Sequence, residues 1–353
     1  MESLSNSNKQ SDGTDSSQTS SSSENNTSSR CDSTDSSDAL GKNVYITDDE
    51  DEELYACTVV WSPLDVPWLI LGGKLGIIYI MDIISPHKVR KFKAHSGPIC
   101  DIQSALTKFS CFVSCCGNGE VKLYNAFSQH CVALLNVTYK DNSFKPSSIS
   151  VNEDDYRIAI AGGNHNLYIF TLVDKTLSDI IDNSYESDIT GEPYSMNPIC
   201  VASLSKPIYQ VMWYNLCLIL RTSFNTIGYY YLRMYEDTPS LCYAYTLDFY
   251  DKSEYPNDYI STPIYFNSKK EIIYAGTNTG NICAWSPSHS DGSMRYIIKY
   301  PQETLPNTLI PYSCRPIINI LFNEEYNIVS CLQDNGTLWK WRQEKPANSS
   351  EPI

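Results

Sequence analysis

The residues able to do chemistry are few and scattered. Histidine occurs five times, as His87, His95, His130, His165 and His289. None belongs to an HExxH pattern, and no Cys/His set has the spacing of a zinc site. The thirteen cysteines include no CxxC pair, and Cys57, Cys100, Cys217 and Cys283 lie inside apolar runs. They read as free, buried, reduced thiols of an intracellular protein. Gly72-Gly73-Lys74-Leu75-Gly76 is glycine-rich, but no Gly-Lys-Ser/Thr follows to open a helix, so it reads as a hairpin turn and not a phosphate cradle. There is no GxSxG nucleophile elbow. Asp154 and Asp155 are neighbours in a turn, which suits solvation better than acid–base work. The expectation is a protein that binds without catalysing, with no cofactor and no metal.

Charge narrows the partner. The chain has 353 residues and a net charge of −15. Thirteen acidic and three basic residues fall within 1–53, a net of −10, so the remaining 300 residues carry −5. Nothing here has the basic footprint of a sequence-specific nucleic-acid binder, and a basic partner suits the chain better. Residues 1–42 are mostly Ser, Asn, Thr and Asp, cannot bury enough surface to offset ordering entropy, and are expected to be disordered. Residues 43–54 read as an acidic linker and 343–353 as a second disordered end. No run approaches the ~20 apolar residues of a membrane helix, and no apolar signal core opens the chain.

The elements that would position any site are strands. From Tyr55 to Arg342, short β-rich runs alternate with turns, and 26 tyrosines favour sheet. One unit recurs: a Gly or Asn turn, alternating apolar residues, then an aromatic residue or Met. It appears at 73–82, 116–125, 162–170, 276–285 and 333–341, with a degenerate copy at 227–232. Asn-Gly supplies the positive φ of a tight hairpin, and the alternation gives a strand with one face against a neighbour. Repeated hairpins at this spacing predict an all-β WD40-type β-propeller with six recognisable blades. The polar stretch Leu172–Lys206 reads as an irregular connection on a propeller face. Ala94-His95-Ser96-Gly97-Pro98-Ile99 is close to the Gly-His element of WD repeats, where the histidine is structural.

These residues resemble one WD-repeat family in particular, the Polycomb proteins called extra sex combs or embryonic ectoderm development. Glu52-Glu53-Leu54-Tyr55-Ala56-Cys57 with Trp61, followed by Leu69–Gly73 and Gly76–Ile80, looks like that family's second blade. Ile208–Trp213 with Leu218–Leu220 resembles its fifth, Ala275–Trp285 its sixth, and Leu338–Arg342 its last strand. The resemblance covers most of 52–342 in the family's order and implies seven blades. No segment matches the first, unless Asn43–Thr47 adds a closing strand or a long connection holds a degenerate blade.

The resemblance implies a nuclear, non-catalytic scaffold subunit of a Polycomb repressive complex 2-like histone H3 lysine methyltransferase. One propeller face would grip a helix of an Enhancer-of-zeste-like SET-domain methyltransferase, alongside a Suppressor-of-zeste-like zinc-finger subunit. The other face would read trimethyl-lysine of the histone H3 tail through an aromatic cage, each ring contributing roughly 0.5–2 kcal/mol. Tyr55 falls on one cage tyrosine and Tyr259 is the best match to another. The third belongs to the unmatched first blade, and an arginine of the family's last blade is replaced by Ile318. Two other readings stay open. One is an RNA-export adaptor like the THO complex WD protein, locally similar at Ala94–Pro98 and Gly119–Lys122. The other is a ubiquitin-ligase substrate receptor, suggested only by Trp341-Arg342.

Overall fold

The computed structural model describes residues 50–137, 144–163, 165–173, 175–183, 192–222, 226–235, 238–248, 264–267, 272–276, 282–285, 294–298, 317–323, 328–333 and 338–342. The segment 1–42, Asn43–Thr47, Tyr259, His289 and the end 343–353 lie outside them. All described residues belong to the unit Val44–Ile353, while Met1–Asn43 form a second unit.

The first sheet comprises β1 (Leu54–Trp61), β2 (Pro67–Gly73), β3 (Ile77–Asp82) and β4 (Val89–Lys93), in that order. The second begins with β5 (Ile99–Ala105), β6 (Cys111–Cys116), β7 (Val121–Asn125) and β8 (Cys131–Leu135). The third begins with β9 (Pro146–Asn152), β10 (Arg157–Gly162) and β11 (Asn166–Thr171). The chain then makes α1 (Lys175–Asn183) and β12 (Tyr194–Met196), and β13 (Cys200–Ser203) becomes the outer strand of the third sheet. A fourth sheet holds β14 (Ile208–Tyr214), β15 (Cys217–Thr222), β16 (Thr226–Tyr235) and β17 (Thr238–Asp248). A fifth holds β18 (Ile264–Asn267), β19 (Ile272–Gly276), β20 (Ile282–Trp285) and β21 (Met294–Ile298). A sixth holds β22 (Ile317–Asn323), β23 (Ile328–Gln333) and β24 (Leu338–Arg342). Among the described residues these are the six expected blades.

Alternation explains how the sheets stack. In β10, Ile158 and Ile160 point into a core shared with the second sheet, beside Cys115, Val132 and Leu135. Ala159 and Ala161 point the other way, into a core with Val211, Trp213, Leu218 and Leu220 of the fourth. A central strand therefore serves two cores, and β10 reads apolar on both faces from Ile158 to Ala161. Val60, Ile70, Ile78 and Ile80 meet Ile99, Ile102 and Phe112 between the first two sheets. Ile219 and Ile227 meet Ile264 and Ile273 between the fourth and fifth. Tyr274 and Ile282 meet Ile317 and Ile320 between the fifth and sixth. Each fully buried Ile or Leu stabilises by roughly 1.5–3 kcal/mol.

Polar side chains on the inner strands fix the stacking register. Ser104 N–H donates to Thr58 Oγ1 (3.1 Å) and Ile149 N–H to Asp101 Oδ2 (2.7 Å). Val211 and Trp213 N–H donate to Ser148 and Ser150 Oγ (3.2 and 2.9 Å). Ile264 N–H donates to Gln210 Oε1 (2.7 Å), and Gln210 Nε2 returns a bond to Ile264 O (3.1 Å). Inner strands therefore run side by side in one direction. We call the end where they start the leading end and the end where they finish the trailing end.

Two expectations are corrected. Within Leu172–Lys206 the described residues are not all irregular: α1 buries Leu177 and Ile181 in the core between the second and third sheets. Next, β12 pairs in parallel with β8 (Tyr194 with Ala133, Met196 with Leu135), and β13 pairs with β11. The apolar side chains of this stretch recur four apart, which is why it closes over the core. Nor are the cysteines uniformly buried. Cys111, Cys115, Cys116 and Cys200 are, but Cys57 and Cys100 are exposed and Cys217 is half-buried. Cys57 alternates with the inward residues of β1, and Cys100 sits in a register shift between Ile99 and Asp101.

Candidate functional site

At the leading end of β1, Tyr55 is 53 % exposed. Its hydroxyl donates to Glu53 Oε2 (2.9 Å), and Lys74 Nζ meets Glu53 Oε1 (2.9 Å). The Lys74 ammonium and the Tyr55 hydroxyl hold the Glu53 carboxyl below its usual range. Glu52 Oε1 accepts the N–H of Leu75 (3.1 Å), tying the acidic segment to the β2–β3 turn. That turn needs Gly76: its φ is +69°, and a side chain there would meet the carbonyls of His95 and Gly97 at 2.6 Å. Tyr55 thus presents its ring on a braced, carboxylate-lined rim. Tyr259 lies outside the described residues, and of the Ile318 position only its place on β22 is described.

Also at the leading end, three side chains have the connectivity of a nucleophile–base–acid triad. His95 Nε2 lies 2.7 Å from Ser114 Oγ, and its Nδ1 lies 3.2 Å from Glu120 Oε2. Burial pushes His95 down to about 4, so the ring is neutral at physiological pH. Burial raises Glu120, but hydrogen bonds from Lys122 and Ser96 outweigh it and bring the carboxyl down to about 2. The neutral ring accepts one proton from Ser114 and donates one to Glu120. No substrate reaches Ser114, which is fully buried mid-strand, and catalysis needs a nucleophile within reach of the reacting atom. Cys116 brings a third ligating atom within 4.8 Å of His95 and Glu120, but the Lys122 ammonium already neutralises Glu120 at 2.8 Å. The Tyr124 hydroxyl closes the network by donating to Ala94 O (2.7 Å). This is a buried brace between strands, as the Gly-His-like element predicts.

The trailing end differs. Leu64 (85 % exposed), Ile83, Ile84, Phe127, Val173 and Leu216 all project from its turns. Six of the seven described non-glycine residues with positive φ sit in turns at this same end: Asp65, Leu106, Ser110, Gln129, Tyr156 and Asn215. Ser110 Oγ donates to Trp61 O (2.6 Å) and Asn152 Nδ2 to Asn215 O (2.8 Å), joining turns of adjacent sheets. The result is a rigid platform studded with apolar side chains. An apolar patch of this kind marks an interaction surface. Its sequence signal was large apolar residues in turns, where polar ones are the rule.

No family model matches the chain. It is 22% identical over 314 residues to the "Polycomb group protein FIE1" of Oryza sativa subsp. japonica, covering 84% of this chain and 77% of that protein. It is 21% identical over 315 residues to the "Polycomb protein esc" of Drosophila melanogaster, covering 85% and 71%. Along most of its length the chain is thus similar to Polycomb proteins of the extra sex combs kind. Solved structures agree on the β-propeller. A Chaetomium thermophilum Polycomb Repressive Complex 2 in humanized form matches with a TM-score of 0.56 at 14% identity, over 69% of this chain and 57% of that one. The Cps50 (Swd1) β-propeller domain of Myceliophteria thermophila matches with a TM-score of 0.61 at 12% identity, over 83% and 84%.

Proposed function

We propose that this chain is a nuclear, non-catalytic scaffold of a histone H3 lysine methyltransferase complex of the Polycomb repressive complex 2 type. The observation that carries the reading is the similarity to Polycomb proteins over about 85% of the chain, joined to two chemically distinct ends. The apolar, rigid trailing end suits the apolar stripe of an amphipathic helix from an Enhancer-of-zeste-like SET-domain methyltransferase. The leading end, with an exposed tyrosine beside carboxylates, suits a cationic methylated lysine of the histone H3 tail. There the ring face and the negative charge both favour a quaternary ammonium. Tyr55 is one wall of that cage and Tyr259 the second. A Suppressor-of-zeste-like zinc-finger subunit completes the complex, with residues 55–342 as the scaffold and 1–42, 43–54 and 343–353 as its flanks.

Purification of the tagged full chain with mass spectrometry of bound proteins tests this. Recovery of a SET-domain methyltransferase together with a zinc-finger Polycomb partner is the expected result. Recovery of RNA-export or ubiquitin-ligase subunits in their place overturns it.

A further inference from the structure

One turn of the trailing end carries a group that the turn itself does not use. The chain has five Ser/Thr-Pro pairs, and only Ser85-Pro86 has a lysine or arginine three residues after the hydroxyl, at Lys88. The pair sits in the turn between β3 and β4, where Ile83, Ile84, Ser85, His87 and Lys88 are all exposed. Asp82 shapes this turn. Its Oδ1 accepts the N–H of Ile84 (2.8 Å) and of Ser85 (3.0 Å), and Lys88 N–H donates to Ser85 O (3.2 Å). The backbone of Ser85 is thus engaged on both sides, while among the described residues its hydroxyl has no partner. Ser62-Pro63, in the β1–β2 turn of the same end, is the opposite case. Ser62 is 5 % exposed, its Oγ accepts the N–H of Leu64 (3.3 Å) and of Val66 (2.9 Å), and Asp65 stands where Lys88 would.

We propose that Ser85 is a phosphorylation site, modified by a proline-directed serine/threonine kinase that reads Pro86 and Lys88, and that the phosphate closes the trailing-end platform to its apolar partner. Proline has no N–H, so Pro86 enters an apolar kinase pocket without leaving a donor unpaired, and Lys88 offers a cation to acidic groups around that pocket. In the transfer, Ser85 Oγ attacks the γ-phosphorus of ATP. The new O–P bond forms as the bond to the β–γ bridging oxygen breaks, ADP leaves, and the hydroxyl proton passes to the catalytic aspartate of the kinase. The product places a charge of about −1.5 to −2 in the same turn as Ile83 and Ile84, which are 45 % and 69 % exposed. An apolar stripe laid on those side chains would have to desolvate that charge. The bland alternative is that Ser-Pro only starts a turn. Asp82 already does so, which leaves the idle hydroxyl and the lysine without a reason. The modification site stands on this chain's own residues, whereas its effect on capture rests on the methyltransferase reading.

The test incubates the full chain with a purified cyclin-dependent kinase, ATP and magnesium, and maps phosphate by peptide mass spectrometry. Phosphate is expected on the Ser85 peptide and not on the Ser62 peptide. It should be absent from that peptide in Ser85→Ala, added several-fold more slowly to Lys88→Gln, and added at the full rate to Lys88→Arg. An unmodified Ser85 peptide overturns the proposal, and so does a Lys88→Gln chain labelled as fast as wild type. The treated chain and treated Ser85→Ala are then compared in capture of the methyltransferase. Capture should fall on the order of 10-fold or more for the phosphorylated chain and stay unchanged for Ser85→Ala. Equal capture by both overturns the closing of the platform. If the untreated chain captures no methyltransferase, the scaffold reading fails, and the labelling of Ser85 still decides the modification site.

Discussion

At the trailing end, tight turns hold residues such as Asp65, Tyr156 and Asn215 at positive φ while Leu64, Ile84 and Leu216 face solvent. At the leading end, Glu52, Glu53, Lys74, Glu120 and Lys122 form ion pairs and hydrogen bonds around buried His95 and exposed Tyr55. Left-handed residues other than glycine cost roughly 1–2 kcal/mol each. A fold that keeps six of them in one set of turns spends stability there on a fixed surface. The other end is held by charge, and its strength therefore depends on pH. One propeller so offers a rigid apolar platform and an electrostatic rim, suited to different ligands.

Acid should separate the two ends most strongly. His95 falls from 6.5 to about 4 on folding, so the unfolded chain takes up this proton first as pH drops. Stability is whole above about 6.5 and is lost progressively toward pH 4, by roughly 3 kcal/mol for a side chain this buried. Glu120, held down to about 2, adds a further loss from its ordinary range downward. Denaturant melts from pH 7.5 to 4 should show this slope, and His95→Gln should flatten it. A melt whose midpoint ignores pH over that interval would contradict the brace.

Next in size is the platform. Leu64→Asp with Ile84→Asp places two charges where an apolar partner would sit. Capture of the methyltransferase should fall by about 30-fold or more, on the order of 2 kcal/mol, while the melting midpoint stays put because both side chains are exposed. Capture at wild-type level would remove the trailing end from the interface. Gly76→Ala strains the leading-end turn and should cost about 1–2 kcal/mol by thermal or denaturant unfolding. An unaffected midpoint would mean that this turn does not brace the rim. The smallest effect is expected for Tyr55→Ala. It should weaken binding of a trimethyl-lysine H3 peptide by roughly 3- to 30-fold, one ring's share. Equal loss with the unmethylated peptide would show that Tyr55 does not sense the methyl groups.

The sequence carried the hairpins clearly, because Gly76 and Gly119 fall where φ is positive (69° and 93°) and the strands beside them alternate. It carried the buried role of His95 through the Gly-His-like element. It did not carry the platform, since turn residues are chosen for conformation and their apolar content is easily passed over. The α1–β12 excursion was missed because its helix spans only Lys175–Asn183, with just Leu177 and Ile181 fully buried to signal a periodic face. Cys57 and Cys100 misled because an apolar run does not say which side of a strand a residue takes. Of the two proposed cage residues, Tyr55 is exposed and Tyr259 lies outside the described residues.

The excursion through α1 and β12 also has a consequence for local unfolding. One stretch of chain lays β12 against β8 of the second sheet and then supplies β13, the outer strand of the third. The two sheets are thereby tied together, like two pages stitched through the same fold. Their amide protons should then exchange with deuterium as one cooperative block.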